Sequence, residues 1–126
     1  MLQNRRAYPT IPASDIGRAK AWYRNKLGLT PNSEDSAGVR YGLGGGTGFQ
    51  LYSTEVAGQA PNTLMVFSSD DIDDDVTTLR GRGVAFEEYD YPGLKTVGGI
   101  ATIGTLHAAW FRDSEGNILA ISDGPT

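Results

Sequence analysis

Apolar residues recur along this chain in two rhythms, and each rhythm appears twice. Ile16, Ala19, Tyr23 and Leu27 are spaced to share one face of a helix, with Asp15 placed to cap its start and Gly28 where a left-handed residue ends it. Ile72, Val76 and Leu79 repeat the stripe behind Asp71 and ahead of Gly83. The two capping aspartates lie 56 positions apart, and the same offset superposes Ile16 on Ile72, Tyr23 on Leu79 and Arg24 on Arg80. A constant offset over this many positions marks an internal repeat.

The second rhythm is that of short strands. Pro9 to Ala13 reads as an edge strand, because Pro9 and Pro12 have no N–H to give to a ladder, and Thr63 to Ser68 is its counterpart in the second copy. After each helix come two more strands, Gly38 to Leu43 and Phe49 to Ser53 in the first copy, Leu106 to Arg112 and Ile118 to Ser122 in the second. Gly44-Gly45-Gly46 and Ser114-Glu115-Gly116-Asn117 sit where tight reversals are needed and supply the residues that make them. Tyr89 to Gly104 is the least patterned stretch and is expected to be a long loop or irregular strand. The pattern is that of an α+β fold with two tandem βαβββ modules, about residues 1–58 and 59–126, in one domain.

Composition narrows the class. A chain of 126 residues with 39% hydrophobic and 21% charged residues can bury one core but excludes two large independent domains. A net charge of −4 without a basic stripe argues against nucleic acid or an anionic membrane as partner. The absence of cysteine removes disulfides, thiolate metal sites and thiol nucleophiles. MLQNRRAYPT lacks the apolar run of a signal peptide, and no stretch is long enough to span a bilayer, so a cytoplasmic location is expected.

Candidate chemistry is sparse. His107 is the only histidine, so no histidine cluster can form within the chain. Ser69 and Ser122 lack a G-x-S-x-G setting that would make either a nucleophile beside His107. The acidic run from Asp70 to Asp75 lacks EF-hand spacing and sits at a helix start, where acidic residues are favoured in any case. The glycines from Gly44 to Gly48 precede a strand and carry no Lys-Ser/Thr pair, which argues against a phosphate cradle.

The stretches PASDIGRAKAWYRNKLGL and AAWFRDSEGNILAI, the latter with Phe111, Asp113, Gly116 and Asn117 in register, resemble the opening and closing segments of vicinal oxygen chelate proteins, the glyoxalase, extradiol dioxygenase and bleomycin-resistance kind. The resemblance spans nearly the whole chain. It implies modules whose sheets curl around a cleft, a homodimer, and in the enzymes a divalent metal held by His, Gln and Glu side chains. Carried onto this chain, the four ligand positions fall on Tyr8, Gln50, Leu64 and Ala120. Leu and Ala offer no lone pairs, so no metal or other cofactor is expected there.

By the same carry-over Trp110 and Ala108 line the cleft and His107 faces away from it. Tyr52 joins Tyr8, Gln50, Leu64 and Ala120 on a mostly apolar floor, with Arg40 and Tyr41, adjacent on one strand, and Tyr91 in the long loop as further candidates. Tyr89, Tyr91 and Leu94 would act either as a lid or as anchors of that loop. Trp22, Tyr23, Phe49, Leu51 and Phe111 are expected in the core. The implied function is non-catalytic binding and sequestration of an aromatic small molecule such as an antibiotic, with no catalytic residue. The alternatives are a lyase or isomerase of the same superfamily working through Tyr8 or Gln50, and a vestigial cleft in a dimerisation or regulatory domain.

Overall fold

The computed structural model describes residues 1–124. The first module runs β1 (Thr10–Ala13), α1 (Ile16–Leu27), β2 (Ser33–Asp35), β3 (Gly38–Gly42) and β4 (Gly48–Ser53). The second runs β5 (Thr63–Ser68), α2 (Ile72–Gly81), β6 (Asp90–Tyr91), β7 (Leu94–Val97), β8 (Ile100–Ile103), β9 (Leu106–Arg112) and β10 (Ile118–Ser122). They form two sheets, ordered β1-β4-β3-β2 and β5-β10-β9-β8-β7-β6. In each module the first strand pairs parallel to the last, β1 to β4 and β5 to β10, and every other pairing is antiparallel. No helix among the described residues is long and apolar enough to cross a membrane.

The helix boundaries follow from the capping chemistry. Asp15 accepts the Arg18 backbone N–H and Asp71 that of Asp74, each satisfying a donor the first helical turn leaves free. Gly28 closes α1 with φ 71°, a left-handed conformation that glycine enters without strain. The stretch from Tyr89 to Gly104 departs from the sequence expectation. It is a strand meander, β6-β7-β8, reversed at Gly93 and at Gly98-Gly99, all with positive φ. Thr96 and Ala101 lie opposite each other in it. Strand β2, exposed along its whole length, carries no apolar alternation by which it could have been read.

Both sheets turn their helix-covered faces toward a single core. Ile11, Val39, Tyr41, Phe49 and Leu51 come to it from the first sheet, Ala109, Phe111, Leu119 and Ile121 from the second, and Ala19, Tyr23, Ile72 and Val76 from the helices. Helix α1 serves both sheets: the Tyr23 ring packs on Tyr41 and Phe49, while Trp22 stacks on Phe111. Burying side chains of this size supplies roughly 1.5–3 kcal/mol each, which makes this shared core the main source of stability.

The β9–β10 turn clasps the modules together. The Asp113 carboxylate accepts hydrogen bonds from the Tyr23 hydroxyl at 2.6 Å, from the backbone N–H groups of Glu115 and Asn117, and from the Asn117 side chain. Asn117, itself buried, also donates to the Pro12 carbonyl and accepts from Gly58 N–H. Glu115 reaches the start of α1, where it accepts from Arg18, Ser14 and the Asp15 backbone. The linker approaches so closely here that a Cβ at Gly58 would lie 2.4 Å from the Glu115 carbonyl oxygen. Burial alone would raise the Glu115 pKa; the donors from Arg18, Ser114 and Asp15 outweigh it and hold the group at about 2. Burial, followed by the charge of Asp113 and the hydrogen bond to it, pushes Tyr23 well above its ordinary value, so its phenol stays a donor.

Candidate binding face

With one face of each sheet committed to the core, strand alternation sends the intervening side chains to the opposite face. In the first sheet Thr10, Gln50 and Arg40 stand in register across β1, β4 and β3, with Tyr52 two residues along from Gln50. In the second sheet Trp110 sits directly opposite Ala120, and Ala120 opposite Val66. Ala108, two residues before Trp110, lies opposite Ala101. Leu64 is two residues before Val66, on the same face.

Within one chain most of these residues fall into three patches. Tyr8 and Arg40 line a concavity of about 390 Å³ with Arg6, Asn32 and Ser33. Tyr52 and Leu64 meet at a second, of about 420 Å³, closed by Thr10, Pro12 and the linker around Val56 to Ala60. Trp110, Ala108 and Ala120 belong to the third, where the Tyr89 ring meets Trp110 edge-on at 5.5 Å between centroids and Tyr91 follows Tyr89 at 5.6 Å. The Tyr89 backbone is fixed by a two-way exchange with Thr96, and Glu87 N–H donates to the Trp110 carbonyl. Tyr89 is therefore anchored beside Trp110, and Tyr91 lies against Tyr89. The sequence leaves Tyr89, Tyr91 and Leu94 open as lid or loop anchors, because the pairing with Thr96 that fixes Tyr89 is not written in any periodic pattern.

Tyr41 lines the Tyr8–Arg40 concavity as part of its wall, but the expectation that its side chain could stand on the open face is corrected. Its ring is buried, stacked on Phe49 at 4.7 Å and facing Tyr23, so it belongs to the core. In the antiparallel β3–β4 register Tyr41 lies opposite Phe49 and must share its face. Burial raises its pKa to about 12, and its hydroxyl has no hydrogen-bond partner among the described residues. Arg40 does lie on the open face, held by Asp35 at 2.8 Å; the hydrogen bond from Arg40 is the largest cause of a lowered Asp35 pKa.

Donor atoms for a metal are few among these groups. Of the four positions that hold metal in related enzymes, Leu64 and Ala120 offer no donor atom, Tyr8 is an exposed phenol, and the Gln50 amide already donates to the Ala37 carbonyl at 2.9 Å. This set does not fit a divalent ion, which needs several oxygen or imidazole ligands. His107 pairs through Nδ1 with Asp123 at 2.7 Å, and Asp123 also accepts the His107 backbone N–H. The pair lies at the end of β9 on the alternate side from Trp110. The Ser69 hydroxyl donates to Asp75, and the Ser122 hydroxyl accepts from Gly124 N–H, so neither is joined to His107 as a nucleophile.

The comparisons agree with this architecture. The family model described as Glyoxalase/Bleomycin resistance protein/Dioxygenase superfamily matches residues 5–121. Among solved structures the chain is similar to UcmS2, with a TM-score of 0.75 and 20% identity over 95% of this chain and 98% of that one. It is similar to TnmS3, an antibiotic binding protein from Streptomyces sp. CB03234, with a TM-score of 0.65 and 20% identity over 94% and 95% of the two chains. It is also similar to FosX, a fosfomycin resistance protein from Listeria monocytogenes, with a TM-score of 0.67 and 14% identity over 97% and 94%. A search of curated protein sequences finds no match. At these identities the solved structures speak for the fold. From the family match and the paired βαβββ modules together, the chain belongs to the glyoxalase, bleomycin resistance protein and dioxygenase superfamily.

Proposed function

We propose that this protein binds and sequesters an aromatic small molecule, an antibiotic or related metabolite, without transforming it. The observation that carries the reading is the Trp110–Tyr89–Tyr91 series, set beside the small side chains of Ala108 and Ala120 on a sheet face that lacks metal-ligating donors. Aromatic rings at these separations accept a further ring by offset or edge-on contact, and an alanine where a ligating carboxylate would stand leaves room for it. The antibiotic-binding description of TnmS3 supports the same class of ligand.

The reading includes self-association. Both modules of one chain turn their core faces inward, so their binding faces point outward in separate patches; a second copy would set the Tyr8–Arg40 patch of one chain against the Trp110 patch of the other. Exposed Tyr8, Val66, Tyr91, Ile103 and Leu106 supply apolar surface for such a dimer. The site then works as a stoichiometric trap in the cytoplasm.

The test is calorimetric titration with bleomycin, an anthracycline and a flavonoid, followed by mass spectrometry of the recovered compound and metal analysis of the protein. Saturable binding of one of them, recovered unchanged from metal-free protein, supports sequestration. Chemical conversion of the bound compound, or stoichiometric metal, sends the function to the enzymes of the superfamily.

A further inference from the structure

A different cavity opens on the helix side of the second sheet. It has a volume of about 320 Å³ and lies between the C-terminal end of α1 and one face of α2, floored by Leu27, Leu43, Phe67, Phe111 and Ile121. It is separate from the Trp110 face, because Ile121 points into it while its neighbour Ala120 pairs with Trp110 on the other side of β10. The volume falls within the range of small-ligand pockets, and a floor this apolar gains from enclosing a hydrocarbon body.

The mouth carries the specificity. Asp75, Thr78, Leu79 and Arg82 line it from one stripe of α2 and the residue just after it, spaced three, four and seven apart. Asp75 already accepts the Ser69 hydroxyl at 2.6 Å. Arg82 has no carboxylate partner among the described residues. Its guanidinium lies against Gly28, where a Cβ would stand 3.0 Å from the nearer nitrogen, so the bare glycine allows the charge to sit at the cavity edge. The Lys26 ammonium adds positive charge at the same end and covers the Arg82 carbonyl at 2.9 Å, which would otherwise repel an anion.

We infer that this cavity is a second ligand site for a small amphipathic carboxylate, its apolar body on the Leu27–Ile121 floor and its carboxylate at Arg82. The probes are octanoate, octanol and octylamine, titrated into ¹⁵N-labelled protein. Octanoate saturates with a Kd below about 1 mM and shifts amides of α2 and β10, more tightly than octanol and far more tightly than octylamine. Arg82→Ala, a change at an exposed residue, weakens octanoate about fivefold and leaves octanol unchanged, the size expected for one ion pair at an open mouth. Thr78→Trp plugs the entrance and removes both, with the sedimentation coefficient unaltered.

Absence of saturable octanoate shifts, octylamine binding as tightly as octanoate, or unchanged affinity in Arg82→Ala would overturn the assignment. A Thr78→Trp variant that changes self-association would do so too, by making this mouth an interface between copies. None of these outcomes bears on the Trp110 face, which is read out by aromatic ligands and by Trp110 itself.

Discussion

The β9–β10 turn and the outward face of the strands that flank it are a few residues apart and follow opposite rules. In the turn, Asp113, Glu115 and Asn117 are buried, each has several hydrogen-bond partners, and each has at least one partner from the other module. On the outward face Trp110 is half-buried, and next to it Tyr89 and the exposed Tyr91 keep ring surface open to further contact. A buried polar group is costly to disturb because its partners lose their hydrogen bonds with it, whereas an open aromatic face leaves its contact surface for a ligand. If the proposed binding face is right, stability and binding rest on separate atoms of the same hairpin, and substitutions should pull them apart.

The largest effect is expected from Asp113→Ala, which strands the Tyr23 hydroxyl and three further donors; it should lower unfolding free energy by about 3–5 kcal/mol in urea denaturation. Next comes Glu115→Gln. The folded Glu115 pKa of about 2 lies below the ordinary 4.5, so this carboxylate stabilises the fold above pH 4.5 and loses that contribution as pH falls from 4.5 through 2. Its worth at neutral pH is on the order of 2–3 kcal/mol, and the variant's stability should be flatter than that of the wild type across this window. Tyr23→Phe removes one donor to Asp113 while keeping the ring, and costs about 1–2 kcal/mol.

On the other side of the comparison, Trp110→Ala should weaken an aromatic ligand by at least about 1 kcal/mol while destabilising the fold less than the Asp113 change. Gln50→Glu places a carboxylate at one metal-ligand position, yet Leu64 and Ala120 still offer no donor; zinc titration of that variant should show no stoichiometric binding.

The repeat, both helices with their caps, and six of the strands were legible in the sequence because each rests on local spacing or on a residue with a backbone preference. Asp15, Gly28 and Asp71 are examples, and each acts as its position predicts. What was not legible depends on pairing. Tyr41 belongs to the core because it stands opposite Phe49, a register that the glycine turn from Gly44 to Gly46 conceals. The Tyr89 to Gly104 meander holds short strands whose partners, and not their own alternation, make them strands. The closing run with Asp113, Gly116 and Asn117 could be read as a turn; that its side chains reach back 90 to 105 positions to Tyr23 and Pro12 follows only from the two modules sharing one core.

The most direct test of the binding face uses Trp22→Phe, which keeps an aromatic ring against Phe111 and leaves Trp110 as the sole tryptophan reporter. Titrating this variant with the aromatic panel should give saturable quenching of Trp110 fluorescence by at least one compound, lost when Ala120 is replaced by a bulkier Leu. Binding seen by calorimetry with no change in Trp110 emission would contradict the account and place the ligand elsewhere on the protein.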